Sequence, residues 1–157
     1  VDNFLTHPRA DVEYLIATQC DPAAFELLTE YRVRRWTGWY WGVEDDIIVG
    51  GGATVGLKSI ALAYVLGYRE FHLFGYDSSY LNGADHAYPQ AMNANDLRID
   101  VVLKGHKFTA ARWMAKQVVE FLAMAHAMMA EGCQFHIHGD GLLPLAASIA
   151  QQKEKAA

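Results

Sequence analysis

Short apolar runs separated by turn-forming residues recur along the chain and predict strands that alternate with helices. Residues 14–19 form the first apolar run, and Asp21-Pro22 then supplies an N-cap residue and a proline suited to a first helical turn. We therefore expect a strand and then a helix that ends near Thr29. Residues 32–41 are rich in aromatic and β-favouring side chains, which predicts a second strand or an extended lid.

The middle of the chain has the clearest pattern. Residues 46–49 are typical of a short buried strand, glycines follow at positions 50–52, and apolar side chains recur at helical spacing over 54–66. Gly67 ends this predicted helix, and residues 71–74 are the next strand. A strand, a glycine turn, a helix and a strand in this order indicate a parallel sheet with a crossover helix.

A long segment, 75–97, follows and is rich in Asp, Asn, Ser, Gly and Tyr without a clear period. Such a length favours a functional loop over a plain connection. We then expect a strand over 99–103 that turns at Lys104-Gly105.

The last part of the pattern predicts a long helix, a strand and a second helix. Thr109 is expected to cap the long helix over 110–131, whose apolar side chains form a stripe. Residues 134–138 predict the strand, and the final helix starts at Leu142. The polar tail, 151–157, is expected to fray.

The composition is that of a compact protein with one core. The chain has 157 residues, of which 52% are hydrophobic and 20% are charged. We therefore expect a single α/β domain over 1–157 with a mostly parallel central sheet. The net charge of -5 argues against nucleic acid as a partner, because phosphate contacts need clustered Lys and Arg. The apolar runs are too short to span a membrane.

Two features bear on where the protein works. Cys20 and Cys133 lie far apart in the sequence, which predicts buried thiols in a reducing compartment and hence a cytoplasmic location. The chain begins Val1-Asp2-Asn3, without an initiator Met or a signal segment, so we expect a piece of a longer protein. Part of an active site can then lie outside this sequence.

The first candidate site is the glycine-rich turn at residues 50–56, between a predicted strand and a predicted helix. Free amides and the helix dipole can hold a phosphate or a carboxylate there. The glycines match neither the dinucleotide fingerprint, since Gly56 comes one place late, nor a P-loop, since Leu57 precedes Lys58. The alternative is a tight turn that only lets the helix pack closely on the sheet.

The second candidate site follows the strand predicted at 71–74, where open α/β sheets bind ligands. Asp77 can accept hydrogen bonds from a sugar, ligate Mg²⁺ or act as a base, and Ser78 and Ser79 can donate to phosphate. His86 in the same loop can exchange a proton near neutral pH. The alternatives are turn-capping roles for Asp77 and the serines, and an ordinary surface position for His86.

Two further features have both a structural and a functional interpretation. His136 and His138 share one face of a strand and can hold a metal, but no third or fourth ligand is evident, so one His packed in the sheet is the simpler prediction. Trp36, Trp39 and Trp41 can stack on a base or a sugar, although such clusters more often form a core or a protein interface.

Three stretches of the chain resemble a known family. Residues 51–67 read GGATVGLKSIALAYVLG, residues 71–79 read FHLFGYDSS, and His86-Ala87-Tyr88 follow. This pattern resembles the family that unites archaeal 6-hydroxymethylpterin diphosphokinases of the MptE type with the motility-associated-factor flagellin glycosyltransferases. The resemblance extends from residue 14 to the turn at 139–141.

The resemblance implies a Rossmann-like three-layer domain akin to sialyltransferases, and a transferase that uses a nucleotide-linked donor and a hydroxyl acceptor. It assigns donor binding to Gly51, Gly52, Thr54, Val55, Ser78 and Ser79. It also implies that Asp77 and His86 are catalytic, with His86 as the acid or base, and that Thr109 contacts the ligand. Family members carry a further strand and glycine turn upstream of this segment, which this chain does not include.

Two reactions remain open within this class. One is glycosyl transfer from a CMP-sugar, in which His86 assists departure of the phosphate or activates the acceptor. The other is diphosphoryl transfer from ATP with Mg²⁺ near Asp77, and with Asp85 or Asp96 as a second carboxylate. No prosthetic group is expected in either. The alternative class is a non-catalytic binding or assembly domain with a structural glycine turn. A homo-oligomer, in which a second copy of the chain is the partner, is a further hypothesis.

Overall fold

A computed structural model describes residues 6–38, 47–80 and 95–155. Contacts between Cα atoms divide the chain into two compact units, Val1–Gly50 and Gly51–Ala157. The single domain over 1–157 stays a prediction.

The first unit contains a parallel sheet. Strand β1 (Glu13–Ala17), helix α1 (Pro22–Leu27) and strand β2 (Arg32–Thr37) follow one another, and β3 (Ile47–Ile48) pairs with the other edge of β2. Asp21 caps α1, since its side chain accepts a hydrogen bond of 2.9 Å from the Ala23 amide. The strand, helix and strand predicted for this region are confirmed.

The second unit contains the longer helices, a parallel strand pair and a hairpin. Its elements are, in chain order, α2 (Val55–Val65), β4 (Glu70–Leu73), β5 (Arg98–Leu103), β6 (His106–Ala111), α3 (Arg112–Ala130), β7 (Gln134–Ile137) and α4 (Leu142–Lys155). Strand β4 pairs with β7 in parallel, and β5 pairs with β6 in antiparallel. Helix α4 includes residues 151–155 of the tail that is expected to fray.

The core of the second unit lies between the β4–β7 pair and the helices. Phe71 and Phe135 stack across the two strands with ring centroids 5.0 Å apart, and Phe121 of α3 meets Phe135 edge-on. Leu57 of α2 and Leu143 of α4 are fully buried in the same cluster. One face of the strand pair is therefore packed against helical side chains.

The single central sheet predicted from the strand, glycine turn, helix and strand pattern is not found among the described residues. Strand β3 pairs with β2 within the first unit, and β4 pairs with β7 within the second. Pairing partners depend on which faces become buried, and a local pattern carries no information on that. The chain is of mixed helix and strand with small parallel sheets, which is the coarser part of the predicted α/β class.

Thr109 does not cap a helix, so this prediction is wrong. Lys104 and Gly105 have φ values of 50° and 82°, and left-handed backbone at both positions is typical of a two-residue type I′ hairpin turn. The turn returns the chain as β6, in which Thr109 pairs with Asp100 of β5. Helix α3 begins only at Arg112, because the hairpin pairing continues to the end of β6.

The two cysteines differ in their exposure to solvent. Both cysteines are free, but Cys20 is exposed and only Cys133 is buried, so the prediction of two buried thiols is wrong for Cys20.

No helix in the described ranges has the length and apolar character needed to cross a membrane.

Candidate functional site

A cleft of about 700 Å³ opens at the carboxyl ends of β4 and β7, beside the β5–β6 hairpin. We call it the hairpin cleft. Its lining includes Asp77, Ser79, Tyr80, Arg98, Lys107, Thr109 and the turn at residues 139–141. Three residues that the sequence analysis selects, Asp77, Ser79 and Thr109, thus come together at the kind of strand end where open α/β sheets bind ligands.

The segment 77–79 is held against the start of α4. The Leu143 amide donates to the Asp77 carbonyl oxygen at 3.0 Å, and the Leu142 amide donates to Ser79 Oγ at 3.2 Å. Ser79 therefore satisfies one of the amides that a helix start leaves free. Ser79 also lines the cleft, and its predicted roles in donor binding or in capping its own turn stay predictions.

Glycines in the 139–141 turn make room for Asp77. A Cβ atom on Gly139 would lie 2.5 Å from Asp77 Oδ1, and one on Gly141 would lie 2.5 Å from Asp77 Cβ. A side chain at either position would displace the aspartate. In the described part of the cleft lining, the carboxylates are the half-buried Asp77 and the exposed Asp140.

Ser78 differs from its neighbours. Its backbone is left-handed with a φ of 52°, its side chain is buried, and its Oγ has no hydrogen-bond partner among the described residues. The structure buries Ser78, which is not among the residues that line the hairpin cleft, and its role in donor binding stays a prediction.

Two cations that the sequence analysis did not select line the cleft. The Arg98 guanidinium lies over the Tyr80 ring, with Cζ 4.3 Å from the ring centroid. Lys107 Nζ lies 2.9 Å from Asp100 Oδ2 on the neighbouring strand. The hydrogen bond from Lys107 is the main cause that holds the pKa of the exposed Asp100 carboxyl below its ordinary value of 3.8.

Thr109 connects the hairpin with the loop that follows β4. Its carbonyl oxygen accepts a hydrogen bond of 2.8 Å from the Tyr80 amide, and its Oγ1 donates to Asp100 Oδ1 at 3.3 Å. Thr109 thus lies on the cleft wall as part of a strand, and its hydroxyl is already engaged by Asp100.

The glycine-rich turn before α2 meets a carboxylate of the protein itself. The Ala53 amide donates to Glu120 Oε2 of α3 at 2.9 Å, and the Thr54 hydroxyl accepts from the Leu57 amide at 3.3 Å. A Cβ atom on Gly52 would lie 2.7 Å from the same Glu120 oxygen. The turn has the predicted chemistry of an anion site, but the anion in this structure is a side chain of α3.

The residues of this turn that are predicted to bind the donor are Gly51, Gly52, Thr54 and Val55. They are not among the residues that line the hairpin cleft. Gly51 has a φ of 102°, and a Cβ atom there would lie 3.0 Å from Ala61 Cβ, so the turn packs closely on α2. Val55 is 80% exposed. Donor binding by these residues stays a prediction.

Tyr76 ties the residue before Asp77 to the first turn of α2. Its hydroxyl donates to the Gly56 carbonyl oxygen at 3.1 Å, and a Cβ atom on Gly56 would lie 2.9 Å from the ring. Burial raises the pKa of the Tyr76 phenol. The close contact requires glycine at position 56 and fixes the start of the loop that carries Asp77.

The predicted acid or base, His86, lies outside the described residues, as does Asp85. Asp96, the other candidate for a second carboxylate, accepts a hydrogen bond of 2.6 Å from Trp113 Nε1 and does not line the hairpin cleft. Among the described residues that line the cleft, Asp140 is the carboxylate besides Asp77, and a role for Asp85 stays a prediction.

The tryptophan cluster is described only in part. Trp36 is buried, and its Nε1 donates to the Leu15 carbonyl oxygen at 3.4 Å, so this side chain belongs to the interior of the first unit. Trp39 and Trp41 lie outside the described residues.

The two histidines of the last strand region are both exposed, so the prediction that one packs in the sheet is wrong for His136 and for His138. Strand β4 places Glu70 and His72 next to His136. Sequence reasoning missed these neighbours because β4 and β7 are far apart in the chain.

No family model matches the chain, and no curated protein or solved structure is significantly similar to it.

Proposed function

We propose that the second unit is a transferase domain that binds a nucleotide-linked donor in the hairpin cleft and transfers a group from it to a hydroxyl. The observation that carries this proposal is that Arg98 and Lys107 of the hairpin line the same cleft as Asp77, which follows a strand of the parallel pair. Arginine can hold a phosphate through two hydrogen bonds, and lysine adds a compact positive charge. A carboxylate in the same cleft suits an acceptor hydroxyl or a bound cation.

The finer fold and the family belong to the same proposal. A Rossmann-like domain binds its ligand at the carboxyl ends of parallel strands, and here Asp77 follows β4 while the 139–141 turn follows β7. Asp77 also lies in residues 71–79, one of the stretches that resemble the sequences of the MptE-type diphosphokinases and the motility-associated-factor glycosyltransferases. Membership of that family and a cytoplasmic location, which the cysteines predict, are part of the proposal.

Both candidate reactions transfer a group to a hydroxyl oxygen. In glycosyl transfer, this oxygen bonds to the anomeric carbon, the bond from that carbon to the donor phosphate breaks, and the nucleotide leaves with the phosphate. In diphosphoryl transfer, the oxygen attacks the β-phosphorus of ATP, and AMP leaves. In both, the hydroxyl proton passes to a base, a role that we assign to His86.

The donor set of the cleft fits Mg²⁺. Asp77 lies in a cradle that a Cβ atom on Gly139 would fill, and Asp140 is an exposed carboxylate of the same lining. Proteins hold Mg²⁺ through one or two carboxylates together with phosphate oxygens and water. Asp77 and Asp140 are therefore the residues that would hold the ion, which would neutralise charge on the transferred phosphate.

Nucleotide binding to the full chain tests the proposal. Isothermal titration with CMP, CTP, ATP and GTP, each with and without Mg²⁺, should detect binding that weakens by about tenfold or more in Arg98→Met and in Lys107→Met. Lys153→Met is the matched control, because it removes the same charge from an exposed position near the far end of α4. Equal affinity in all variants would contradict the assignment of the cleft.

The identity of the nucleotide distinguishes the two reactions. Binding of cytidine nucleotides indicates sugar transfer, whereas Mg²⁺-dependent binding of ATP alone indicates diphosphoryl transfer. In an activity assay, Asp77→Asn and His86→Ala should each abolish turnover with little change in melting temperature. Activity that survives both changes would remove these residues from the mechanism.

The contact between the glycine turn and Glu120 favours a second candidate, a non-catalytic binding or assembly domain. In that case the turn has a structural role, because the hydrogen bond from the Ala53 amide to Glu120 joins the start of α2 to α3. Absence of nucleotide binding, together with self-association of the chain in analytical ultracentrifugation, would support this function instead.

A further inference from the structure

The exposed face of the β4–β7 pair carries a compact group of histidine and glutamate side chains. Along β4, Phe71 and Leu73 are buried, whereas Glu70 and His72 point to the opposite, exposed face. The parallel register pairs His72 with His136, and the two rings stack with centroids 4.4 Å apart. Two strands that are distant in sequence thus place three ligand-type side chains side by side.

The distances between the ligand atoms fit a single metal ion. Glu70 Oε1 lies 3.1 Å from His72 Nε2 and 3.6 Å from His136 Nε2, and one ligand atom of each residue lies within 4.8 Å of the others. In a tetrahedral zinc site with bonds of about 2.0–2.1 Å, the ligand atoms are about 3.4 Å apart. The three side chains are 43% exposed or more, so small rotamer changes can close the site without moving the core.

We propose that Glu70, His72 and His136 bind a divalent transition metal, with Zn²⁺ as the best match. Two imidazole nitrogens and one carboxylate oxygen form a donor set that Zn²⁺ uses with water in the remaining position. Mg²⁺ prefers oxygen donors, so this site differs in chemistry from the carboxylates of the hairpin cleft, and the proposal does not depend on the function of that cleft. Ni²⁺ and Cu²⁺ suit the same donors.

His138 is a positioning residue for His72. Its Nε2 lies 3.5 Å from His72 Nδ1, and its ring stacks on Phe74 with centroids 4.2 Å apart. When His72 donates its Nδ1 proton to His138, its Nε2 keeps the lone pair that a metal needs. The ion would bind on the Nε2 side of His72, where Glu70 lies, whereas His138 lies on the Nδ1 side. His138 therefore supports His72 and is not one of the three proposed ligands.

Zinc titration of the full chain, without a histidine tag and at neutral pH, tests the site. Isothermal titration with Zn²⁺ alone should show saturable binding in the wild type. His72→Ala and His136→Ala should each weaken it by about tenfold or more, and so should Glu70→Gln, which keeps the size of the side chain but removes its charge. His106→Ala is the matched control, because it removes an exposed histidine from β6 and should leave the affinity unchanged.

Two results would overturn the metal site. One is absence of binding by the wild type at micromolar zinc, in which case the group is only an exposed polar contact between Glu70 and the two histidines. The other is unchanged affinity in His72→Ala and His136→Ala, which would place the zinc elsewhere. Circular dichroism checks that each variant is folded, and visible absorption of Co²⁺ bound to the wild type, lost on addition of Zn²⁺, is a readout that needs no variant.

The role of His138 has its own test. His138→Ala should weaken zinc binding by about tenfold and change the Co²⁺ spectrum, since the His72 ring loses the partner that orients it. His138→Gln supplies an amide oxygen that can accept the same hydrogen bond, and it should restore both. A Co²⁺ spectrum that is identical in wild type and His138→Ala would remove the positioning role.

Discussion

At position 52, the absence of a side chain is required by packing and not by backbone conformation. A Cβ atom there would collide with the Leu57 side chain and lie 2.7 Å from Glu120 Oε2. We expect Gly52→Ala to lower the free energy of unfolding by about 1–3 kcal/mol, as overpacking does, in chemical or thermal denaturation. Gly50→Ala is the matched control, since no atom of the described residues lies within 4 Å of a Cβ atom there. An equal loss in both variants would contradict the packing explanation.

The ion pair between Lys107 and Asp100 leads to a pH-dependent prediction. Because the hydrogen bond from Lys107 lowers the pKa of Asp100 in the folded state, the pair stabilises the fold above the ordinary pKa of 3.8 and is lost as the pH falls through the lowered value. We expect Lys107→Met to raise the pKa of Asp100 toward 3.8, as measured by carboxyl carbon NMR during a pH titration. Lys153→Met should leave the pKa of Asp100 unchanged. If the pKa of Asp100 were the same in the wild type and in Lys107→Met, the ion pair would not form in solution.

Among the elements, the β5–β6 hairpin depends on its two-residue turn. Lys104 has a φ of 50°, a left-handed conformation that asparagine adopts more readily than lysine. We expect Lys104→Asn to raise the free energy of unfolding by about 0.5–1 kcal/mol in urea denaturation, and Gly105→Val, at a φ of 82°, to lower it. A loss of stability in Lys104→Asn would argue against this turn type.

The same hairpin explains why two cleft residues were not predicted. The sequence pattern predicts a turn at Lys104-Gly105, but it also predicts that a helix capped by Thr109 follows this turn. With the antiparallel pairing, Arg98 and Lys107 lie on neighbouring strands and reach one cleft. The strong signals for such a turn are Asn-Gly, Asp-Gly and Gly-Gly, and Lys-Gly is a weak one, so the helical stripe that follows outweighed it.

For the whole molecule, the main question is whether the second unit folds alone. Its buried cluster draws its members from positions 57 to 147, all after Gly50. We therefore expect a fragment of residues 51–157 to unfold cooperatively in thermal denaturation and to bind the same nucleotides as the full chain. A fragment without a cooperative transition would contradict this and would favour the single domain that the chain length predicts.

The sequence by itself determined the local features. Asp21-Pro22 starts α1, and Gly67 follows α2 with a φ of 100°. Asp77 was also placed correctly after a strand, at what proves to be the lining of a cleft. These features were predictable because caps, turns and strand ends depend on residues within a few positions of one another.

Only the tertiary structure decided which distant residues meet. The pairing of β4 with β7 brings His72 beside His136, and α3 supplies Glu120 to the glycine turn where an external anion was predicted. Neither contact has a local signal, because strand pairing and helix packing are chosen by the joint burial of faces that belong to separate parts of the chain. The periodicity of a segment shows that it has a face to bury, and the partner is selected only when the whole core closes.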